Sequence, residues 1–391
     1  MRGDHIGIVI KLDTKRRELF VDDPEYISSL RRTYYGSMNS GRLYLQSEEG
    51  LYLLDIRNAI CVDAYDENKQ YTFNDVAKHL YYPKLLSKYF ILKDWRDRGL
   101  VLRPSNERFK PPKKIDRLTY PKESIDLPRL HVKGMFFPED LITIIDDTEV
   151  GKRLYFEYWF GQFGTYKAEH RGKIHKLDVF ETIFLMRHAG LKTDYSLTEI
   201  KRFAKERHEL FPSMYKVYED WRMKGYVLKT GFKFGSHFRI YFPGAKPGKR
   251  KEWIHSHHVL HVFPKTERRI ISEWSRAIRV AHSVRKTFVL AIPGKQKDRK
   301  MDLDYLGYHR VKGGIAIPGE NPPRYMLLAL SEDEYIGGAE LSYALNRCDE
   351  LGLTLLLGIA DRESSVTYYR VKRINLPESK YNYYEVEWIQ P

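Results

Sequence analysis

Three short segments in the middle of the chain hold residues that could move protons or bind phosphate. The first, residues 229–244 (KTGFKFGSHFRIYFPG), has alternating aromatic residues, an interrupting glycine and a terminal Pro-Gly, which together predict a strand. Tyr241 lies near the end of this strand. A phenol can exchange a proton, but the chain has 29 tyrosines and most of them must serve in packing. Tyr241 by itself therefore indicates a strand end, with catalysis as the alternative.

The second segment, residues 253–263 (WIHSHHVLHVF), is rich in histidine. If it forms a strand, His255, His257 and His261 share one face, because alternate residues of a strand point the same way. A His-x-His pair can supply two zinc ligands, although no cysteine follows to complete the set. A polar strand edge on a basic surface is the alternative, and a metal-dependent nuclease stays open as a hypothesis.

The third segment, residues 279–286 (RVAHSVRK), runs from a predicted helix end into a predicted strand, with Lys286 at the junction. A cation at a helix C-terminus interacts favourably with the helix dipole, so a structural role explains Lys286 equally well. Arg279 lies seven residues earlier, about two helical turns away, which predicts a similar face.

The charge balance indicates what kind of partner these segments could face. The chain has 391 residues, with 67 Lys and Arg against 52 Asp and Glu, and a net charge of +15. This excess favours a polyanion as partner, with nucleic acid preferred over an anionic membrane surface.

The two cysteines, Cys61 and Cys348, cannot build a disulfide framework or a thiolate zinc site. Without a signal peptide or a membrane-length apolar run, a cytoplasmic protein without membrane contact is expected.

Composition divides the chain into three blocks. Residues 104–130 are rich in proline and charge and predict an extended linker. Residues 293–301 form a second, basic linker. The predicted domains are therefore an N-terminal half-unit at 1–103, a complete unit at 131–292 and a C-terminal half-unit at 302–391.

The blocks are related by internal repeats. Residues 89–102 match 215–228 at an offset of 126, which keeps a tyrosine, an Asp-Trp-Arg triplet, a glycine and a Val-x-Leu triplet. Residues 45–54 match 177–186 at an offset of 132, and both read as amphipathic helices. The first block therefore copies the N-terminal half of the middle block.

A second repeat relates the C-terminal block to the other half of the middle block. Residues 272–292 match 339–359 at an offset of 67, each as an amphipathic helix followed by a buried strand. At this offset Lys286 falls on Leu353 and His255 on Pro322. The copy keeps the apolar frame and loses both polar groups, which predicts one functional site per chain. The outer blocks are expected to meet and form a second, incomplete unit.

In combination, the three segments resemble the archaeal tRNA-splicing endonuclease family. The resemblance implies a mixed fold, α+β / α/β, of duplicated units. Each unit would have an N-terminal helix-plus-antiparallel-sheet domain and a C-terminal α/β nuclease domain. It also implies that Tyr241, His255 and Lys286 are the catalytic residues and that no cofactor is needed. The half, whole and half units look most like a three-unit variant that forms a homodimer.

The resembled family cuts pre-tRNA at bulge–helix–bulge junctions without metal, leaving a 2′,3′-cyclic phosphate and a 5′-hydroxyl. The attacking 2′-OH belongs to the substrate, so no external nucleophile is required. The resemblance assigns Tyr241 as general base, His255 as general acid and Lys286 as electrostatic stabiliser. A free tyrosine has a pKa of about 10, so a nearby Lys286 is expected to favour the phenolate. Alternatively, Tyr241 orients the 2′-OH.

Further residues are candidates for holding RNA. The family uses an arginine near Arg279 to stack on bulge bases, so Arg279 is the candidate here, with a solvated helix arginine as the alternative. The middle block also has seven more residues than the first within 162–172. Lys167 and Arg171 in this insertion suit phosphate contact, unless it is a neutral surface loop.

An acidic loop of the C-terminal block is a candidate for the dimer contact. In the resembled family, an acidic loop of the structural unit docks into a basic cleft on a partner subunit. Glu332, Asp333 and Glu334 occupy a matching position before a predicted helix. We expect them to hold the homodimer together, the alternative being an acidic loop left in solvent. A non-catalytic RNA-binding structural subunit remains the competing function for the whole chain.

Overall fold

A computed structural model describes residues 7–112, 117–166, 168–247 and 255–391. Ten α-helices and 25 strands are found in these ranges. The helices are α1 (Pro24–Arg32), α2 (Ser47–Ile56), α3 (Phe73–His79), α4 (Leu85–Asp97), α5 (Thr148–Phe156), α6 (Val179–His188), α7 (Leu197–Arg207), α8 (Phe211–Arg222), α9 (Ile271–Ser283) and α10 (Gly338–Leu351). None of these helices is long and apolar enough to cross a membrane.

The first block forms a six-stranded sheet with helices α1 to α4 around it. Its strand order is β3-β4-β2-β1-β5-β6. The strands are β1 (Val9–Asp13), β2 (Glu18–Val21), β3 (Ser37–Asn39), β4 (Arg42–Leu45), β5 (Ile60–Asp63) and β6 (Gln70–Tyr71). Strands β1 and β5 pair in parallel, so this sheet is mixed, and the prediction of an antiparallel sheet was wrong on this point. The parallel pair arises because α1, β3, β4 and α2 separate β5 from the β1–β2 hairpin.

The N-terminal half of the middle block has the same order of elements, except that β6 has no counterpart there. Its five strands follow the order β10-β11-β9-β8-β12, with helices α5 to α8. They are β8 (Lys133–Phe137), β9 (Ile142–Ile145), β10 (Gln162–Phe163), β11 (His175–Asp178) and β12 (Lys192–Thr193). Strands β8 and β12 pair in parallel, as β1 and β5 do.

A ten-stranded sheet runs through the rest of the molecule, in the order β13-β14-β15-β17-β25-β24-β23-β21-β18-β7. Its strands are β7 (Leu102–Pro104), β13 (Val227–Thr230), β14 (Phe238–Tyr241), β15 (His258–Val262), β17 (Thr287–Ala291), β18 (Tyr305–Gly307), β21 (Tyr325–Ser331), β23 (Thr354–Ala360), β24 (Val366–Ile374) and β25 (Tyr383–Ile389). Four shorter strands form two separate ribbons: β16 (Arg268–Ile270) with β22 (Tyr335–Gly337), and β19 (Arg310–Val311) with β20 (Gly314–Ile315).

The two halves of the large sheet have matching strands. Strand β14 pairs with β13 in the middle block, and β18 of the third block pairs with β7 of the first. Strands β21 and β23 begin 67 residues after β15 and β17, and α10 begins 67 residues after α9. Strands β24 and β25 lie between the halves, where β25 joins β17 on one side and β24 on the other.

The first and third blocks share one hydrophobic core. Trp95 of α4 is fully buried, and its ring meets Tyr325 and Tyr368 of the third block edge-on. The hydroxyl of Tyr305 also donates a hydrogen bond to the buried carboxylate of Glu48 in α2. Segments 230 to 273 residues apart in sequence are therefore packed as closely as neighbouring elements.

In each of the two N-terminal sheets, buried charged side chains hold the turn that precedes a β-hairpin. These hairpins are β3–β4 in the first block and β10–β11 in the middle block. Gly161 has a φ of +61° and donates its backbone N–H to Glu181 of α6, and Lys229 of β13 donates to both the Gly161 carbonyl and Glu181. In the first block, Gly36 has a φ of +63° and donates to Glu49, and Arg103 reaches the Gly36 carbonyl. Glycine is required at both positions because side chains are strained at such angles.

Candidate active site

Tyr241 is the last residue of β14 and is 5% exposed. Its ring packs against the Trp159 ring at a centroid distance of 4.6 Å and against Val227 and Ala245. Its hydroxyl oxygen accepts a hydrogen bond from Nη1 of Arg239 at 3.2 Å. The ring is held on one side by apolar contacts, while the hydroxyl lies in a polar environment.

Burial raises the pKa of Tyr241 above its ordinary value of 10, although the charge of Arg239 and a hydrogen bond with Ser256 act in the opposite direction. The nearby cation that favours the phenolate is therefore Arg239, where the sequence had suggested Lys286. Burial outweighs this cation, so the net effect on Tyr241 favours the neutral phenol.

Lys286 lies between the end of α9 and the first residue of β17. Its ammonium group donates hydrogen bonds to the carbonyl oxygen and to Oγ of Ser256, the latter at 3.1 Å. It also lies 4.8 Å from the centroid of the Phe234 ring. Burial lowers the pKa of Lys286 from its ordinary value, and the positive charge of Arg239 lowers it further.

His255 is exposed and directly precedes Ser256, which is buried. The Ser256 hydroxyl accepts a hydrogen bond from Lys286 and lies close enough to Tyr241 to lower the pKa of that residue, so the three predicted residues lie around Ser256. His255 is the exposed member of this group and is therefore open to a ligand.

Strand direction explains why these residues meet. Strand β14 runs antiparallel to β15, which runs parallel to β17. The C-terminal end of β14 and the N-terminal ends of β15 and β17 therefore lie at the same edge of the sheet. Tyr241 ends the first of these strands, Lys286 immediately precedes β17, and His255 lies three residues before β15. The site is thus a consequence of sheet topology.

Two local predictions about this region were wrong. The run around Phe234 is not a continuous strand: Phe232–Phe234 form a 3₁₀ turn, and β14 begins at Phe238. His255 and His257 precede β15, which begins at His258, so they share no strand face with His261. His261 is buried beside the His237 ring, at 4.4 Å, and its burial lowers its pKa well below the ordinary value.

The histidine-rich segment shows no cation site in the described ranges. Across residues 7–112, 117–166, 168–247 and 255–391, no three His, Cys, Asp or Glu side chains are grouped so that they could hold a metal ion.

The predicted relation between Arg279 and Lys286 was also wrong. Helix α9 ends at Ser283 and Arg285 has a φ of +54°, so helical spacing does not extend to Lys286. Arg279 is exposed on α9, and its charge acts on Tyr369 of β24. Contact of Arg279 with a bulge base stays a prediction.

The insertion of the middle block reaches the site through Tyr166. This residue is 65% exposed, and its charge, when ionised, influences the pKa of Tyr241. Arg171 is exposed at the end of the same loop, and its backbone N–H donates to the carbonyl of Ala168. Lys167, the other predicted RNA contact, lies outside the described residues.

The acidic loop makes contacts within its own chain. Glu332 and Asp333 pair with Arg362, at 3.7 and 3.0 Å, and Glu334 pairs with Lys84 at 2.8 Å. Asp333 remains half exposed and the other two carboxylates partly exposed. Their role at a dimer interface stays a prediction.

Sequence reasoning missed three residues of the site: Arg239, Ser256 and Trp159. Arg239 and Ser256 lie two residues from Tyr241 and one from His255, so proximity in sequence was the available signal. Trp159 comes from the N-terminal half of the middle block, and no local pattern could have placed it against Tyr241.

The offset of 67 also relates Tyr241 to Tyr308, which is buried. The C-terminal block therefore retains a tyrosine at this position, although it has lost the histidine and the lysine.

Comparisons with known proteins agree on a family. The model for "tRNA intron endonuclease, catalytic C-terminal domain" matches residues 211–305. A tRNA-splicing endonuclease of Thermococcus gammatolerans is 33% identical over 34% of this chain and 82% of its own length. One from Pyrobaculum islandicum is 31% identical over 42% of this chain and 92% of its length. One from Methanococcoides burtonii is 28% identical over 71% of this chain and 93% of its length.

Proposed function

The chain belongs to the archaeal tRNA-splicing endonuclease family, and from this premise we propose that it cuts precursor tRNA at bulge–helix–bulge intron junctions. The reaction is a transesterification in which the ribose 2′-OH attacks the adjacent phosphate. It releases a 5′-hydroxyl and leaves a 2′,3′-cyclic phosphate, without a metal ion. The observation that carries the proposal is the convergence of Tyr241, His255 and Lys286 around Ser256 at one edge of the sheet.

His255 is the proposed general acid, which protonates the leaving 5′ oxygen. It is the exposed member of the group, so a leaving group can reach its imidazole, the side chain that most often serves as a general acid. Lys286 is the proposed electrostatic stabiliser of the phosphorane. Its two hydrogen bonds to Ser256 fix the ammonium group before substrate arrives, which reduces the reorganisation needed in the transition state.

Tyr241 is the proposed partner of the 2′-OH. As the general base it would need to be ionised, and burial in the RNA-free protein favours the neutral phenol instead. Arg239, which donates to the hydroxyl, works against this effect. We therefore propose that Tyr241 orients the 2′-OH through its hydroxyl, and that its phenolate form, which Arg239 favours, accepts the 2′ proton and becomes the neutral phenol.

The architecture is proposed to consist of two units. The middle block, residues 131–292, is the catalytic unit, and residues 1–103 and 302–391 together make the structural unit, with linkers at 104–130 and 293–301. The pairing of β7 with β18, in the way that β13 pairs with β14, supports this division. Two such chains would form a homodimer with one catalytic site in each.

Charge distribution supports the homodimer. Residues 131–292 contain 30 Lys and Arg against 18 Asp and Glu, whereas residues 302–391 contain 9 against 14. An acidic C-terminal block and a basic catalytic unit favour head-to-tail contact between chains by electrostatic complementarity. Glu332, Asp333 and Glu334 are the proposed contacts of the acidic side.

One cleavage experiment tests the function. The purified protein is incubated with a bulge–helix–bulge RNA in the presence of EDTA, and the product ends are identified. We expect cleavage at both junctions and a 2′,3′-cyclic phosphate. Loss of cleavage with EDTA, restored by a divalent cation, would favour a metal-dependent nuclease, whereas tight binding without cleavage would favour a structural RNA-binding subunit.

A further inference from the structure

The tip of the hairpin between β13 and β14 presents an aromatic ring to solvent beside the candidate site. This tip is the 3₁₀ turn Phe232–Phe234. The Phe232 side chain is 86% exposed, the largest exposed fraction among the large hydrophobic residues in the described ranges. Exposing a phenylalanine to this extent forgoes the free energy of its burial, so a folding role does not explain it.

The turn is anchored at its other aromatic residue. Phe234 packs against the core beneath α9, and the Lys286 ammonium lies 4.8 Å from its ring centroid. Phe234 therefore ties the turn to a residue of the candidate site. Phe232, two residues earlier in the same turn, lies on the solvent side of that anchor.

The backbone around Phe232 is firmly held. The N–H of Gly231 donates to the His237 carbonyl at 3.0 Å, and the N–H of Phe234 donates to the Gly231 carbonyl at 2.8 Å. A side chain at Gly231 would collide with Ser236, so the turn is closely packed. Because the backbone of this turn is fixed, little conformational entropy is lost when the Phe232 ring binds a partner.

The surroundings of the ring favour nucleic acid over protein as the occupant. Lys233 is exposed next to Phe232, and Arg239, whose Nε donates to the Thr230 carbonyl, lies at the base of the turn. An exposed aromatic ring among cations is the combination by which proteins hold an unpaired nucleobase and its phosphate.

The structural unit has no equivalent tip. Strands β7 and β18 pair as β13 and β14 do, but they belong to different blocks and no hairpin connects them. At the offset of 67, Phe232 corresponds to Arg299, which lies in the second linker. The aromatic tip is therefore found only in the half of the molecule that has the candidate site.

From these observations we propose that Phe232 is a stacking platform for one unpaired nucleobase of the substrate RNA, next to the scissile phosphate. This inference deepens the proposed function and rests on it. Stacking on Phe232 would hold the splayed strand while Lys286 and His255 act on the phosphate. The site takes a nucleobase of any identity, because every base has a π-face.

The experiment uses a bulge–helix–bulge RNA with 2′-deoxyribose at the cleavage positions, which prevents attack but permits binding. A fluorescent adenine analogue, 2-aminopurine, replaces each bulge nucleotide in turn. We expect binding by wild type to quench the fluorescence at one position, and Phe232→Ala to lose that quenching and weaken affinity by about tenfold. Phe232→Trp should retain both. The matched control is Tyr81→Ala, which removes an aromatic ring, 67% exposed, from the first block.

A second RNA, with an abasic nucleotide at the quenched position, isolates the stacking contact. Wild type and Phe232→Ala should bind it equally. Unchanged quenching in Phe232→Ala at every position would overturn the proposal. A shift from dimer to monomer in Phe232→Ala would assign the ring to a protein contact instead and would also overturn it. Because binding is measured on uncleavable RNA, these outcomes are separate from wild-type cleavage of normal RNA, which tests the proposed function.

Discussion

At the scale of single residues, replacing a candidate catalytic residue should slow cleavage much more than it weakens RNA binding. We expect Tyr241→Phe, His255→Ala and Lys286→Ala each to reduce single-turnover cleavage, by about 10²- to 10⁴-fold for His255, because a proton-transfer partner is lost. His255 is exposed, so its replacement should leave stability and RNA affinity unchanged. Wild-type turnover in His255→Ala would contradict its assignment as the acid.

Arg239 offers a pH test of the site. Its charge lowers the pKa of both Lys286 and Tyr241. Removal of a neighbouring cation raises the pKa of an ammonium group. In Arg239→Gln, the titration of Lys286, followed directly by NMR on lysine labelled with 13C at Cε, should therefore move to higher pH. Arg276→Gln, which removes an exposed arginine of α9, is the control, and equal titration of Lys286 in wild type and Arg239→Gln would contradict the coupling.

The residues of the site differ in how well the sequence predicted them. The positions of Tyr241 and Lys286 at strand ends were predictable from the apolar pattern of the strands, whereas their catalytic role came from the family resemblance and stays a prediction. Phe232 and Phe234 were placed in a strand because aromatic alternation resembles a strand, whereas Gly235, with a φ of +61°, helps to form a turn instead. Trp159 reaches Tyr241 through tertiary packing alone, and local periodicity contains no information of that kind.

At the scale of elements, the insertion in the middle block is expected to bind RNA. Lys167→Ala and Arg171→Ala should weaken cleavage and reduce its dependence on salt, because fewer counterions are released when fewer phosphates are contacted. The effect should be largest on substrates with a shortened or irregular bulge, which offer fewer other contacts. Tyr166 brings this loop near Tyr241. Equal salt dependence in wild type and both variants would exclude the loop from substrate binding.

The start of β10, which leads into this loop, depends on a buried ion pair. Lys229 contacts Glu181, and both side chains are largely buried. Lys229→Met leaves the Glu181 carboxylate without its partner, so we expect a loss of about 3–5 kcal/mol in the free energy of unfolding by urea. The double variant Lys229→Met with Glu181→Gln should recover part of it. Equal stability of the single and double variants would contradict this account.

The order of elements was more predictable than their pairing. Segments that match at offsets of 126, 132 and 67 have the same secondary structure, for example α9 and α10, whereas the duplicated-unit architecture itself stays a prediction. They could not show that β1 and β5 pair in parallel, because pairing direction depends on the path of the chain between strands. They also could not reveal β24 and β25 at the centre of the sheet, since these two strands have no copy in the middle block.

At the scale of the whole molecule, the joining of first and third blocks makes the two chain ends interdependent. Strand β7 completes the edge of the large sheet beside β18, and Trp95 packs between Tyr325 and Tyr368. The segment of residues 104–130 therefore connects β7, at one edge of the large sheet, with β8 in the sheet of the middle block. Composition alone suggested three separate blocks, whereas in the structure the first and third blocks share one hydrophobic core.

At this scale, the acidic loop of the C-terminal block also predicts dimer formation. Glu332, Asp333 and Glu334 changed together to Lys should give monomers by light scattering and reduce cleavage, because acidic groups no longer face a basic partner. These residues also pair with Arg362 and Lys84 in their own chain, so loss of those pairs must be controlled. Arg362→Ala with Lys84→Ala removes the internal partners and keeps the carboxylates. We expect this control to remain dimeric, and an unchanged mass in the triple variant would show that the acidic loop does not hold the dimer.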